Sequence, residues 1–262
     1  MTSTSPSRLD AAWRRFAHFW RNYYHLSAVI VLEFRQWITM ILSISVLLNL
    51  GMVFAFSFIS GSREPEIGRY FVSGAAVMSL VTLGIMMVAQ DMAQSRRNGA
   101  ILYYASLPIS KTAFILAVVT GNGIAAVPGM IITLLVGSWY FGFPLALNPL
   151  IFAVVPLSAI SLAGLGAAIG LGIPNWRVAG LVAQATMFFI MFFAPVMIPF
   201  HQLPTVLQYT GMILPPTYAA QAFRAALQPE ITPTLLRDLA ILTVFGLGSL
   251  AIVARTLKWR VE

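Results

Sequence analysis

A chain of 262 residues that is 59% hydrophobic and only 9% charged is not an ordinary soluble domain, which carries about 25% charged residues. Its net charge of +8 would suit nucleic acid, but no compact basic domain is present, and Lys and Arg gather in loops beside apolar runs, as in membrane proteins. The absence of cysteine excludes disulfides, thiol catalysis and cysteine-ligated metal.

Residues 1–7 read as a disordered tail, and the first 30 residues lack the short apolar core of a cleavable signal peptide. From Leu9 the pattern turns helical and two-faced. Leu9, Trp13, Phe16, Trp20, Tyr23 and Tyr24 recur at steps of three and four, while Arg14, His18, Arg21 and His25 mark another face. Such a helix lies in the headgroup layer or against a soluble partner, which makes residues 1–35 a cytoplasmic tail and amphipathic interfacial helix. His18 and His25 have no third ligand nearby and read as polar-face residues rather than a metal pair.

Four uncharged runs follow, at 36–62, 70–90, 112–176 and 178–223. Each exceeds the ~18 residues that mark a membrane-spanning candidate. Spans are expected near 38–60, 69–90, 113–141, 148–172, 178–198 and 236–256, with Gly142, Pro144, Asn148 and Pro149 marking the hairpin inside the longest run. Twelve of the sixteen Lys and Arg residues fall on the side shared by both termini, against Arg63, Arg69, Arg224 and Arg237 opposite. Both termini are therefore expected in the cytoplasm, with an even number of spans over residues 36–262. No Asp, Glu, Lys or Arg sits in the middle of an expected span, which argues against an ion-coupled transporter. Arg237 and Asp238 intrude only at the start of the last span, where they snorkel or pair at the outer interface.

The longest internal cytoplasmic loop, 91–111, carries the turn signal Asn98-Gly99, and Pro108 separates a short helical piece at 100–107 from the third span. Positive charge holding a hairpin inside accounts for Arg96 and Arg97. It does not account for Tyr103, Tyr104 and Leu107 in a short, partly apolar helix, which suit a docking face. No Gly-x-x-x-x-Gly-Lys-Ser/Thr occurs, nor any His-Glu-x-x-His, Gly-x-Ser-x-Gly or carboxylate cluster. The chain is expected not to be an enzyme, and energy must enter from elsewhere.

The stretch 194–226 is too apolar for a loop and too broken for a span. Pro195, Pro199, Pro204, Pro215 and Pro216 each remove a backbone donor. The fifth span is expected to end near Ile198 and the segment 199–227 to dip in and return. A full crossing would carry Arg255, Lys258 and Arg260 outside. His201 reads as an ordinary polar residue at that outer end.

Proline and small residues closing a span, then Leu203-Pro204, Leu214-Pro215-Pro216-Thr217-Tyr218 and Arg224, resemble the permease subunits of ABC type-2 exporters, among them drug, lipid and polysaccharide permeases. The loop at 91–111 is similar too: Arg96, Arg97, Gly99, Leu107, Pro108 and Ser110 fit, but Gln94-Ser95 stands where glutamates are expected, leaving Asp91 as the nearby carboxylate. The resemblance implies an all-α polytopic membrane protein with six transmembrane helices, an N-terminal amphipathic interfacial helix joined by a bend at Glu33 and Arg35, and a re-entrant helical hairpin between the fifth and sixth spans, as in type V ABC exporters. It implies a second permease, identical or a sister chain, and ATP-binding subunits that hold MgATP, with no cofactor in this chain.

Residue by residue, the ATPase-subunit contact is expected at Arg96, Arg97, Leu107 and Pro108, which the resemblance supplies, and at Tyr103 and Tyr104, which the docking-face pattern adds. The re-entrant motif falls at Pro199, Leu203, Pro204, Pro215, Pro216, Tyr218 and Arg224. On the fifth span Met187, Phe188, Phe189, Met191, Phe192 and Phe193 cover most of a helix circumference, so part faces lipid, while Met187, Phe188, Met191 and Phe192 are candidates to line a path for varied apolar ligands. Gly164, Gly166, Gly170 and Gly172 suit close helix packing. The expected function is the permease of an ATP-driven exporter that moves amphipathic, lipid-like or drug-like molecules out of the cytoplasm or inner leaflet, in the plasma (cell inner) membrane. Export of lipid-linked polysaccharide and a non-transporting role in membrane assembly are the alternatives.

Overall fold

The computed structural model describes residues 8–61, 64–194, 196 and 204–257, and every regular element among them is helical. Pro199, His201 and Leu203, like Arg63, lie outside the described residues.

Helix α1 (Arg8–Ser60) is unbroken over 53 residues. At 1.5 Å per residue that is about 80 Å, far beyond the ~30 Å of a bilayer core. The interfacial helix and the first span are thus one element, and the backbone stays helical through Glu33 and Arg35. The reason is in the sequence: no Gly or Pro occurs from Leu9 to Leu50, so nothing stops propagation. Nor does the segment around residue 23 stand apart from the bundle. Asn22 Nδ2 donates to the Pro108 carbonyl at 3.0 Å, Tyr23 Oη donates to Thr120 Oγ1 at 3.1 Å, and Leu26 is buried in one cluster with Phe114 and Val118.

Helix α2 (Pro65–Val81) starts with proline at its first position, where no donor is needed. It runs through a π-helical turn (Thr82–Met87) into α3 (Val88–Arg97), giving one span, Pro65–Arg97. This span is the centre of the molecule: 83% of its most apolar window is buried, against 18% for α1 and 17% for α7. Residues 91–97, expected in a loop, extend it, because no helix breaker precedes Asn98-Gly99. Gly99, at φ +74°, makes the turn into α4 (Ala100–Ser106), and Ser110 caps α5 (Lys111–Phe141) by accepting from the Ala113 amide.

Gly142, at φ +70°, closes α5. Asn148 then ties the hairpin down: its Oδ1 accepts from the Leu150 amide, its Nδ2 donates to the Pro229 carbonyl, and its amide donates to the Ala226 carbonyl. Helix α6 (Ile151–Gly172) packs closely through its glycines. A Cβ on Gly166 would meet the carbonyl oxygens of Gly84 and Ile85, one on Gly170 the Ala89 oxygen, and one on Gly164 the Ser249 side chain, whereas Gly172 faces open space. Three of the four expected glycines therefore serve close approach.

Helix α7 (Trp176–Phe193) stops five residues short of the expected Ile198. Ala194 is extended (φ −89°, ψ 139°), since the residue before a proline, here Pro195, resists the α conformation. The segment that follows holds two short helices, α8 (Thr205–Ile213) and α9 (Pro215–Ala226), with Pro204 at the cap of α8 and Pro215 opening α9. At 12 residues, α9 is about 18 Å long and cannot cross a bilayer. It is buried against α2, α6 and α10 (Pro233–Thr256). Among the described residues six helices are long and apolar enough to span: α1, α2–α3, α5, α6, α7 and α10. Two apolar clusters join them. The larger lies around α2, α5, α6 and α9, and the smaller lies toward α4, holding Leu26, Ile101, Phe114 and Val253.

Candidate functional site

Three regions of the bundle carry the residues singled out in the sequence. At the α4 end, the short helix divides into two faces. Ile101 is buried and Tyr104 packs on Phe114 at 5.0 Å between ring centroids, while Leu102 and Tyr103 are 54% and 63% exposed beside Pro108. Leu107 is half-buried. Arg96 Nη1 donates to the Leu171 carbonyl at 2.8 Å, filling an open acceptor at the C-terminus of α6. The Arg97 guanidinium stands over the Trp176 ring at 4.7 Å, and that of Arg177 stands over the same ring at 5.5 Å. So Tyr103 and Pro108 are on the surface, and Arg96, Arg97 and Tyr104 make contacts within the chain. Leu102 and Trp176 were not singled out from the sequence. Helical spacing would have found Leu102, which lies about 100° round the helix from the buried Ile101. Trp176, 79 residues from Arg97, gave no local signal.

Between α1, the π turn and α7 lies a cavity of about 770 Å³. Seven of the chain's twelve methionines line it: Met40, Met52, Met78, Met86, Met87, Met187 and Met191. Its polar lining includes Ser45, Asn49, Thr82 and Gln184, and none of its described lining residues is charged. Asn49 Nδ2 donates to Ser79 Oγ at 2.6 Å and to Ser45 Oγ at 3.3 Å, so its amide is held in place. The π turn presents Thr82, Leu83, Met86 and Met87 to the cavity while the Gly84 and Ile85 backbone meets Gly166. Widened turns of this kind are frequent at functional sites. Of the four candidate lining residues, Met187, Phe188 and Met191 line the cavity; Phe192 is 61% exposed and does not. Phe189 and Phe193 stack on each other at 4.7 Å.

At the opposite end, α9 is held by Arg224. Its Nε donates to Ser73 Oγ at 3.0 Å, its Nη2 donates to the Val196 carbonyl at 2.8 Å, and its guanidinium stacks on the Tyr70 ring at 3.3 Å from the centroid. Burial lowers its pKa to about 10, against the opposing pull of Tyr70, so the group remains a cation at neutral pH. A residue counted in the sequence as loop charge is thus a clamp joining α9, α2 and the end of the α7 segment. Tyr218 Oη donates to the Met212 carbonyl at 2.6 Å, pinning α8 to α9, and Pro215 and Pro216 are buried. Arg237 and Asp238 pair at 2.9 Å beside them, as expected of charges at the start of the last span.

A bundle of six spanning helices with two short proline-started helices between the fifth and sixth defines a multi-pass α-helical membrane protein. Within that class the chain belongs to the ABC-2 transporters: the model described as "ABC-2 family transporter protein" matches residues 57–255, from the last turn of α1 to the last turn of α10. Members of this family are transmembrane transporter subunits, and membership implies partnership with an ABC ATP-binding subunit. The match leaves out most of α1, which supplies one wall of the methionine-lined cavity. No curated protein matches the chain.

Proposed function

We propose that this chain is the permease of an ATP-driven exporter whose cargo is an amphipathic, lipid-like or drug-like molecule without net charge in the part that enters the cavity. One observation carries the reading: an apolar, methionine-lined space of about 770 Å³ with no charge among its described lining residues. Methionine side chains adapt to irregular apolar shapes, and a few fixed polar groups such as Asn49 orient a ligand without selecting for charge. The volume falls in the range of small-molecule sites, about 300–1,000 Å³. Among the described lining residues Phe188 is the one aromatic, which disfavours a polysaccharide path needing successive sugar platforms.

The positive-inside distribution puts both termini and α4 in the cytoplasm, and α8 and α9 toward the outside, dipping into the plasma membrane and returning. The exposed Leu102, Tyr103 and Pro108, backed by Tyr104 and Leu107, then form the contact for the ATP-binding subunit, which holds MgATP. The sparsely buried α1 and α7 leave room for a second permease.

The test is coexpression with the ATP-binding subunit, gentle extraction, and reconstitution into vesicles loaded with a neutral lipophilic dye. The expected result is copurification and dye movement that needs ATP hydrolysis and is lost in Met187→Asp. Dye movement unchanged in Met187→Asp would remove the cavity from the path. Failure to copurify under any gentle extraction would remove the ATP-driven reading.

A further inference from the structure

We propose that Arg97, Trp176 and Arg177 bind the phosphate headgroup of an anionic phospholipid, with an acyl chain lying down α7 toward the methionine-lined cavity. The proposal rests on the chain's place in a membrane and on the orientation argued above, not on the identity of the cargo.

Two guanidinium groups stand over one indole, at 4.7 and 5.5 Å from its centroid. Two cations gathered on one ring raise the local positive potential, which favours an anion there. No carboxylate pairs with either arginine among the described residues, and both side chains are exposed. The neighbouring Arg96 is fixed on the Leu171 carbonyl, which ties the end of α3 to the end of α6, just before Trp176. Tryptophan beside arginine at the end of a spanning helix is where the headgroup layer lies. Arginine forks match phosphate oxygens two at a time.

The surface below the cluster selects a lipid over a protein. Helical steps of three and four from Arg177 pass Leu181, Gln184, Phe188 and Met191. Leu181 is 70% exposed and apolar, and the last three line the cavity. From Arg177 to Met191 the rise is about 21 Å, the length of an extended acyl chain of ordinary size. A protein surface complementary to two arginines would gain nothing from an apolar stripe running into the bilayer. A phospholipid needs both parts.

The probe is phosphatidylglycerol carrying brominated acyl chains, placed in nanodiscs of phosphatidylcholine with the purified chain and no ATP-binding subunit. Quenching of Trp176 is read as the difference between the wild type and Trp176→Phe. The expected result is quenching that exceeds that from brominated phosphatidylcholine. Each arginine replaced by Gln lowers the preference about fivefold, and both together about 25-fold. Arg97→Lys/Arg177→Lys, which keeps the charge but not the fork, is expected to retain part of it, separating loss of the site from loss of fold. Leu181→Asp weakens binding with the arginines intact.

Equal quenching by both lipids in the wild type overturns the proposal. So does full competition by inorganic phosphate, which would make this a site for the free anion. An unchanged lipid preference in Arg97→Gln/Arg177→Gln, with loss of the ATP-binding subunit, also overturns it and assigns the cluster to the subunit contact instead. Copurification and dye movement are measured separately, so failure of the lipid site leaves the exporter reading standing.

Discussion

Arg224 lies 151 residues from Ser73 in sequence and is joined to it by one hydrogen bond. Replacing it with Met keeps the length and apolar stem of the side chain while removing the cation. The loss comprises two charge-assisted hydrogen bonds, worth about 1.5–3 kcal/mol each, and a stacking contact with Tyr70 worth about 0.5–2 kcal/mol. These contributions share one group and do not add in full, so the expected destabilisation is about 3–5 kcal/mol. Ser73→Ala costs less, about 1 kcal/mol, because the hydroxyl's other bond is a local one to the Tyr70 carbonyl. A double-mutant cycle between Arg224→Met and Ser73→Ala is expected to show about 1–2 kcal/mol of coupling. Arg224→Lys does not rescue, since an ammonium cannot reach Ser73 and Val196 while lying flat on the Tyr70 ring. The assay is denaturant unfolding in detergent followed by far-UV circular dichroism, with hydrogen exchange over 215–226 to locate the loss in α9. An Arg224→Met chain within about 0.5 kcal/mol of wild type, or a cycle that closes additively, would refute the clamp.

The glycine contacts of α6 give a graded series. Gly166→Ala and Gly170→Ala drive a methyl into backbone carbonyls that cannot yield and are expected to cost at least about 1–3 kcal/mol each, whereas Gly172→Ala stays within about 0.5 kcal/mol, read by the same unfolding curve. On α4, Leu102→Ala/Tyr103→Ala is expected to abolish copurification of the ATP-binding subunit with the melting temperature unchanged. Ile101→Ala, which empties a buried position, lowers stability by about 2–4 kcal/mol in the same preparation. In the cavity, Gln184→Lys places an unpaired cation among methionines and is expected to stop neutral-dye movement without releasing the ATP-binding subunit, measured on the same vesicles.

The spans were legible because lipid leaves few choices: a long uncharged run must become a helix, and prolines between runs must break one. Where the reading missed, a local signal was outweighed by another. Glu33 and Arg35 looked like a boundary, but charge does not interrupt a helix that lacks Gly and Pro, so α1 runs on. Pro195 was read as lying inside the fifth span, yet its effect on Ala194 ends the helix there. Arg224 was visible as a motif residue and as a charge. Its partners were not, because Ser73 and Tyr70 sit on another span and look like ordinary small and interfacial residues. The cavity was visible only on α7, where Met187, Phe188 and Met191 are close in sequence. Its other methionines come from α1, α2 and the π turn, and only folding assembles them.

The π turn itself has no signature in Thr82-Leu83-Gly84-Ile85-Met86-Met87, yet it sets the phase of the whole central span. A π turn takes up about one residue more than an α turn, so the face presented after it is rotated by about 100° from where an uninterrupted α-helix would carry it. Before the turn, Tyr70 and Ser73 meet Arg224 and Met78 borders the cavity. Within it, Gly84 and Ile85 press their carbonyls against Gly166 while Met86 and Met87 turn to the cavity. After it, Ala89 meets Gly170, and Arg96 and Arg97 reach the end of α6 and Trp176. One phase must satisfy contacts at three depths. Close backbone approach at Gly166 and Gly170 leaves no side-chain freedom with which to absorb an error in it. That is the physical reason the most buried of the described spans is also the one that carries the π turn.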